Sequence, residues 1–310
     1  MRLKAWAKIN LVLRVEGVRP DGYHLLYSYA ASVDVGDEVH VAPDPSGGIS
    51  VTVPELAGMV AEKDNLVWKA AHALRRFRPG AALGARIHVR KEIPPGSGMG
   101  GASADAAAVL HALNRLWQLD LDDHQLAAVG VTLGADVPFC LRGGLALMEG
   151  IGERLTPLPI PGPLALVRVT LPVALSTARV FQCYDALAAR GEAPGGGESR
   201  EPLAPGAFLE AWRRGPEHLG PLLHNDLEAA AMRLAPHIAA AKAALLKAGA
   251  AGAVMSGSGP TVVGLARDAD DAARLAAALG RDGWDARPMG LRPRGVEAVE
   301  PGPVKGAGPG

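Results

Sequence analysis

Residues 94–110 read PPGSGMGGASADAAAVL, a glycine-rich run held between a Pro-Pro stop and an alanine-rich segment of helical character. Gly96, Gly98, Gly100 and Gly101 let the backbone turn sharply and bring its N–H groups close to a ligand with no Cβ in the way. A helix that starts where the glycines end adds unpaired N–H groups and the positive end of its dipole. The combination suits an anion, and the physical reading is a phosphate cradle. A plain turn before a core helix needs fewer glycines.

Three known motifs share this spelling. Gly96-x-Gly98-x-x-Gly101 fits the dinucleotide fingerprint, which follows a buried parallel strand with a continuous apolar run. The preceding ARIHVRKEI instead sets Ile87, Val89 and Ile93 in one phase against Arg86, His88, Arg90 and Glu92, with Lys91 alone breaking the apolar phase. That alternation predicts a half-exposed antiparallel strand and argues against a nicotinamide oxidoreductase. The Walker A reading fails because Ala102-Ser103 stands where Lys-Ser/Thr must reach the phosphates and Mg²⁺. A protein kinase would carry HRD and DFG sequences, and neither is present.

The 310 residues allow two domains. Lys+Arg and Asp+Glu balance at 32 each, which gives no electrostatic reason to expect nucleic acid or an anionic membrane surface as partner. No apolar run is long enough to span a bilayer, and MRLKAWAKINL is too polar for a signal peptide. Cys140 and Cys183 have no metal-ligand or CxxC spacing, so free thiols in a cytoplasmic protein are expected.

Strand patterns begin at KINLVLRVEGV and recur in 34–53, and Pro20-Asp21-Gly22 carries turn chemistry. Helices are expected from an Asp64 or Asn65 cap through Phe77, over 102–117, and over 123–133 with Gly134 closing the last. The stretch 150–163 reads as a loop and domain junction. A strand at 165–169, a helix capped by Ser176 or Thr177, and helices at 225–234 and 236–247 follow. The chain then reads strand-loop-strand through AGAVMSGSGPTVVGLA, a helix at 269–279 and a strand at 284–289. A mobile loop is expected at 191–206 and a disordered tail at 291–310. Strand-strand-helix order in both halves predicts an α+β fold with antiparallel sheet dominant.

Further stretches could carry chemistry. Lys8 and Asn10 in AKIN share one strand face, although a lysine on a short strand is ordinarily solvated. Tyr23 and His24 follow the turn, where two rings could hold a base-like ligand or simply pack. Asp136 in GADVPF lies just past a helix end and before Pro138, suited to a general base or to a local turn hydrogen bond. MSGSGPTV at 255–262 is a second glycine loop, less able to hold an anion because no helix begins there.

In their order along the chain, AKINL, PPGSGMGGAS, GADVPF and MSGSGPT resemble the GHMP kinase superfamily of small-molecule kinases, over about residues 4 to 290. RPDGYHLL and HNDLE (224–228) narrow the resemblance to members acting on a cytidine diphosphate-linked methylerythritol in the non-mevalonate isoprenoid route. The resemblance implies an N-terminal domain over 1–155 like ribosomal protein S5 domain 2, a ferredoxin-like domain over 156–290, and an active site in the cleft between them. It implies transfer of the ATP γ-phosphoryl group to the substrate's C2 hydroxyl, with Asp136 as proton acceptor and Lys8 as its catalytic partner. ATP would lie against Pro94, Pro95, Gly96, Ser97, Gly98, Met99, Gly100, Gly101, Ala102, Ser103 and Ala104. Asn10, Tyr23, His24 and Phe181 would hold the substrate, the last three around the base. Superfamily members often follow the loop with two serines, the second on Mg²⁺; here those positions read Gly101 and Ala102, with Ser103 one residue late. Mg²⁺ is expected to arrive with ATP, and no protein ligand is assigned to it. Homoserine- or mevalonate-type kinases, and a non-catalytic nucleotide-binding relative, are the competing readings.

Overall fold

The computed structural model describes residues 1–192 and 201–299. The first 158 residues build one sheet and a helical layer. Strand β1 (Arg2–Val18) pairs antiparallel with β2 (His24–Pro43), which pairs antiparallel with β4 (Ala85–Arg90). Strand β3 (Ile49–Thr52) runs parallel to β4 at the edge. Strands β5 (Leu145–Gly150) and β6 (Arg154–Leu158) add an antiparallel pair beside β2. Helices α1 (Leu66–Arg75), α2 (Gly101–Leu116), α3 (Asp123–Leu133) and the short α4 (Val137–Arg142) accompany it. Helix α2 is the centre of this layer: Ala104, Ala106, Ala107, Ala108 and Ala112 are all fully buried. A helix apolar nearly all round is one enclosed on every side, and alanine lets its neighbours approach closely.

The second half is a four-stranded antiparallel sheet of order β11-β7-β10-β9, made by β7 (Leu166–Thr170), β9 (Gly252–Met255), β10 (Val262–Leu265) and β11 (Asp285–Met289). Helices α5 (Thr177–Ala188), α8 (Glu228–Leu234), α9 (His237–Ala248) and α10 (Ala269–Arg281) pack with it around a core of their own that includes Val167, Tyr184, Ile238 and Leu275. Helices α6 (Pro205–Arg214) and α7 (Pro216–Leu219) lead into β8 (His224–Asn225). The architecture is the α+β, two-domain one expected.

Several local expectations are corrected. The region 150–163 is not all loop, because β6 occupies 154–158. Its Pro157 is tolerated since β6 pairs with β5 alone and needs no second ladder of N–H donors. The first sheet therefore runs past the expected boundary at 155. Two later segments return to it: β8 pairs parallel with β1 through Val12 and Leu13, and β12 (Val296–Ala298) pairs antiparallel with Leu3 to Ala5. The tail expected to be disordered from 291 is thus strand-paired as far as 298; residues 300–310 lie outside the described ones. Helix α6 begins inside the expected 191–206 loop, whose residues 193–200 also lie outside them. Asn65, not Asp64, caps α1, its side chain accepting from the Val67 N–H at 2.9 Å. No helix among the described residues is long and apolar enough to cross a membrane.

Candidate active site

A cleft of about 830 Å³ is lined by residues of both halves, from β1, β2 and the 94–103 stretch on one side to α5 on the other. Its floor is the 94–104 loop. Gly98 has a positive φ of 76°, and a Cβ there would come within 2.3 Å of the Ser256 carbonyl oxygen. The reason is that the two glycine loops touch: Ser256 Oγ donates to the Gly98 carbonyl at 3.0 Å, and the Thr261 N–H to the Ser97 carbonyl at 3.2 Å. The second loop braces the first. Gly100 (φ 71°) immediately precedes α2 and offers no side-chain cap, so the helix's first N–H groups open toward the cleft. A Cβ on Gly100 would press against Lys8 Cγ at 3.0 Å, which makes this glycine a space for the lysine stem.

Lys8 is buried, contrary to the solvated reading, because β1 is covered on both faces through this region. The Lys8 N–H donates to the Met99 carbonyl at 3.0 Å, tying the strand to the loop. Register shifts on either side of Lys8 and Asn10 mark bulges, a device that re-aims side chains. Lys8 Nζ donates to Asn10 Oδ1 at 2.8 Å and lies 3.2 Å from Asp136 Oδ2. Asn10 Nδ2 in turn donates to Ser28 Oγ at 2.7 Å. Asp136 sits at the N-cap position of α4 yet makes no cap hydrogen bond. Its carboxylate is turned to Lys8 and is 33% exposed, so it remains available to a bound molecule.

The HNDLE stretch explains how the second loop is held. Asn225 Nδ2 donates to the carbonyls of Met255 and Gly257, both at 2.7 Å, and Oδ1 accepts from the Leu227 N–H at 2.9 Å. Glu228 Oε1 accepts from the Met255 N–H at 2.8 Å. Asn225→Ala would strand two carbonyls and one N–H in a buried place. An unfolding free energy lower by about 2–4 kcal/mol is expected in denaturant titrations. Unchanged stability would mean that water replaces the amide there.

Of the residues singled out in sequence, the cleft brings together Lys8, Asn10, Tyr23, His24, Asp136 and Phe181 with most of the loop. It does not include Met99 or Ala104, whose side chains are fully buried in the core behind it. Tyr23 is 59% exposed, while His24 stacks on Phe181 with centroids 4.4 Å apart. A buried cluster was missed. Lys91 Nζ bridges Asp37 and Asp105 beneath the loop, and Asp37 Oδ1 accepts the N–H groups of Glu92 (2.6 Å) and Ile93 (2.8 Å). Burial, with Asp37 adding to it, pushes the Asp105 carboxyl well above the usual carboxylate range against the pull of Lys91. Lys91 is itself raised: burial opposes its charge, but Asp105 and Asp37 outweigh that. Burial sets the direction for Asp105, while two carboxylates around one ammonium doubly favour the Lys91 cation. The signal was present in sequence, as a lysine just past β4 that continues its apolar phase and an aspartate amid buried alanines. Cys140, fully buried beside this region, has its thiol pushed up by burial and is chemically quiet.

Comparison with known proteins agrees with this two-domain fold. Residues 65–144 match the family described as GHMP kinases N terminal domain, and residues 208–286 match GHMP kinases C terminal. The 4-diphosphocytidyl-2-C-methyl-D-erythritol kinase of Symbiobacterium thermophilum is 40% identical over 292 residues, spanning 93% of this chain and 100% of the relative. Its counterpart from Gloeobacter violaceus is 42% identical over 281 residues, 90% of each chain. A crystal structure of 4-(cytidine 5'-diphospho)-2C-methyl-D-erythritol kinase superposes with a TM-score of 0.77 at 35% identity, covering 94% of this chain and 99% of that one. A homoserine kinase from Cytophaga hutchinsonii superposes at 0.73 with 22% identity over 96% of this chain and 97% of that one, a likeness of fold alone. Paired with the two domain matches, relatives of this identity and span place the chain in the GHMP kinases, within the family of 4-diphosphocytidyl-2-C-methyl-D-erythritol kinases.

Proposed function

We propose that this protein transfers the γ-phosphoryl group of ATP to the C2 hydroxyl of 4-diphosphocytidyl-2-C-methyl-D-erythritol, giving the 2-phosphate and ADP. The observation that carries the reading is the Lys8–Asp136 contact of 3.2 Å beside the glycine loop, in a chain whose relatives bear that kinase's name. Phosphoryl transfer needs positioning and charge stabilisation more than covalent chemistry. The loop backbone and the open end of α2 would hold the phosphates. The substrate hydroxyl oxygen attacks the γ-phosphorus, the bond to the bridging oxygen breaks, and ADP leaves with that electron pair. Asp136 takes the hydroxyl proton, while Lys8 offsets charge gathering on the transferred group. Asn10 fixes the Lys8 ammonium and orients the substrate near it. Tyr23, His24 and Phe181 would hold the cytosine.

Mg²⁺ belongs to this reading as the companion of ATP. Among the described residues no three His, Cys, Asp or Glu side chains gather as a metal cage. Mg²⁺ needs none, since it keeps several waters and binds through phosphates plus one or two protein oxygens. Ser103 in the first turn of α2 and the half-exposed Asp136 are cleft side chains with oxygens to offer, whereas Asp105 is engaged by Lys91. When bound, the ion neutralises phosphate charge.

The ionic pair also weighs against a silent nucleotide-binding relative, which has no need to keep an acid–base couple. Coupled ADP release over a panel of alcohols tests the assignment. Turnover of the cytidine-linked alcohol alone is expected, lost on chelation and restored by Mg²⁺. Turnover of homoserine or mevalonate, without the cytidine-linked alcohol, would overturn it.

A further inference from the structure

Helix α5 presents three side chains to one imidazole. Phe181 stacks on His24 at 4.4 Å, Tyr184 meets it edge-on at 6.2 Å, and Asp185 Oδ1 lies 2.7 Å from His24 Nε2. The spacing i, i+3, i+4 puts all three on one helix face. The His24 side chain is only 9% exposed but lines the cleft, and among the described residues its Nδ1 has no hydrogen-bond partner. An ionised carboxylate can only accept, so a neutral His24 facing Asp185 must carry its proton on Nε2. Nδ1 is then a bare acceptor.

We propose that Asp185 is a positioning residue for base specificity: by holding His24 in the Nε2–H form, it makes the base end of the cleft select a nucleobase that donates an exocyclic N–H. This rests on the reading above that His24 meets the base. Cytosine offers an amino donor where uracil offers a carbonyl, and a carbonyl against bare Nδ1 sets two lone pairs face to face. A site built to pair with a donor rejects the analogue that lacks it, because its own buried acceptor is left unpaired. A surface ion pair with no such role would contribute little, and its loss would not alter the choice of base. The preference for a cytidine over a uridine diphosphate-linked alcohol is therefore written in the second half of the chain, on a residue at the cleft wall that acts through His24.

Steady-state kinetics with both alcohols, on the full chain and on Asp185→Ala and Asp185→Asn, test the specificity. In Asp185→Ala the ratio of kcat/KM for the cytidine- over the uridine-linked alcohol should fall about tenfold or more, carried by KM for the alcohol, with KM for ATP unmoved. Asp185→Asn keeps an acceptor oxygen in the same place and should recover part of the ratio. An unchanged ratio in Asp185→Ala overturns the proposal. NMR of the histidine ring nitrogens, at a pH where imidazole is neutral and without substrate, reads the tautomer directly. An Nε2–H form is expected in the native chain and a mixture in Asp185→Ala; an Nδ1–H form in the native chain overturns the proposal. Failure of the kinase assignment would show separately, as absent turnover of the cytidine-linked alcohol by the native protein.

Discussion

Asp136→Asn should lower kcat about a hundred- to ten-thousand-fold while changing the Kd for ATP little, the range lost when a positioned general base is removed. The amide is the better test than alanine, for a reason visible in the burial of the pair. The Lys8 side chain is 6% exposed and that of Asp136 33%. Removing the carboxylate with Asp136→Ala leaves a buried ammonium with Asn10 Oδ1 as its remaining close partner among the described residues, so stability and activity would fall together. Asp136→Asn still offers an oxygen to Lys8 and keeps the volume, so the fold is retained and the loss reports on chemistry. Lys8→Met separates the roles from the other side. It leaves Asp136 partly in water and costs little stability, yet removes the cation from the transferring group. Single-turnover rates with nucleotide titration check both variants. A near-native rate in Asp136→Asn would mean that the hydroxyl loses its proton elsewhere.

How much of this site was legible in the sequence depended on whether a residue's job is local. The glycine loop could be read because a backbone cradle followed by a helix is written in consecutive residues. Its alternating upstream strand was equally local, and β4 does alternate buried and exposed positions from Ala85 to Arg90. Lys8 and Asn10 could be placed on one face by their spacing, but their burial could not, since it is imposed by two loops far away in sequence, one at Met99 and one at Ser256. Asp136 left open whether its carboxylate served the turn or the cleft, and only the third dimension turns it to Lys8. Pairing across long separations was the hidden part. Strands β8 and β12 return to β1 through backbone hydrogen bonds that no side-chain pattern announces in segments so short. HNDLE was legible as a resemblance; its job, clamping the 255–259 loop, was not. Lys91 and Asp105 stood out of phase with their surroundings, and a polar residue in an apolar register is the mark of a buried partner elsewhere.

Lys91→Met should cost about 3–5 kcal/mol of stability near neutral pH, because it removes the one cation between two enclosed carboxylates. The side chains of Asp37, Lys91 and Asp105 are 0%, 5% and 4% exposed. Asp37 retains two backbone donors without the lysine, whereas Asp105 Oδ1 has no partner at all among the described residues, so the penalty falls on Asp105. The pH dependence follows from the directions of the shifts. The raised Lys91 value makes its contribution complete below the unfolded ammonium value of about 10.4, and lost only as pH climbs through the folded one. Asp105, raised in the folded state, costs stability as pH rises from its unfolded value of about 3.9 through the folded one, and that cost grows once Lys91 is gone. The difference between native and Lys91→Met should therefore narrow as pH falls toward about 4, where Asp105 can take up a proton. Lys91→Met combined with Asp105→Leu should recover much of the loss, since one enclosed carboxylate with its own backbone donors remains. Denaturant unfolding of the single and double variants across this pH range gives the coupling directly. If the double variant is as unstable as the sum of the two singles, the three charges do not act as one unit, and Lys91 is buried for a reason other than balancing Asp105.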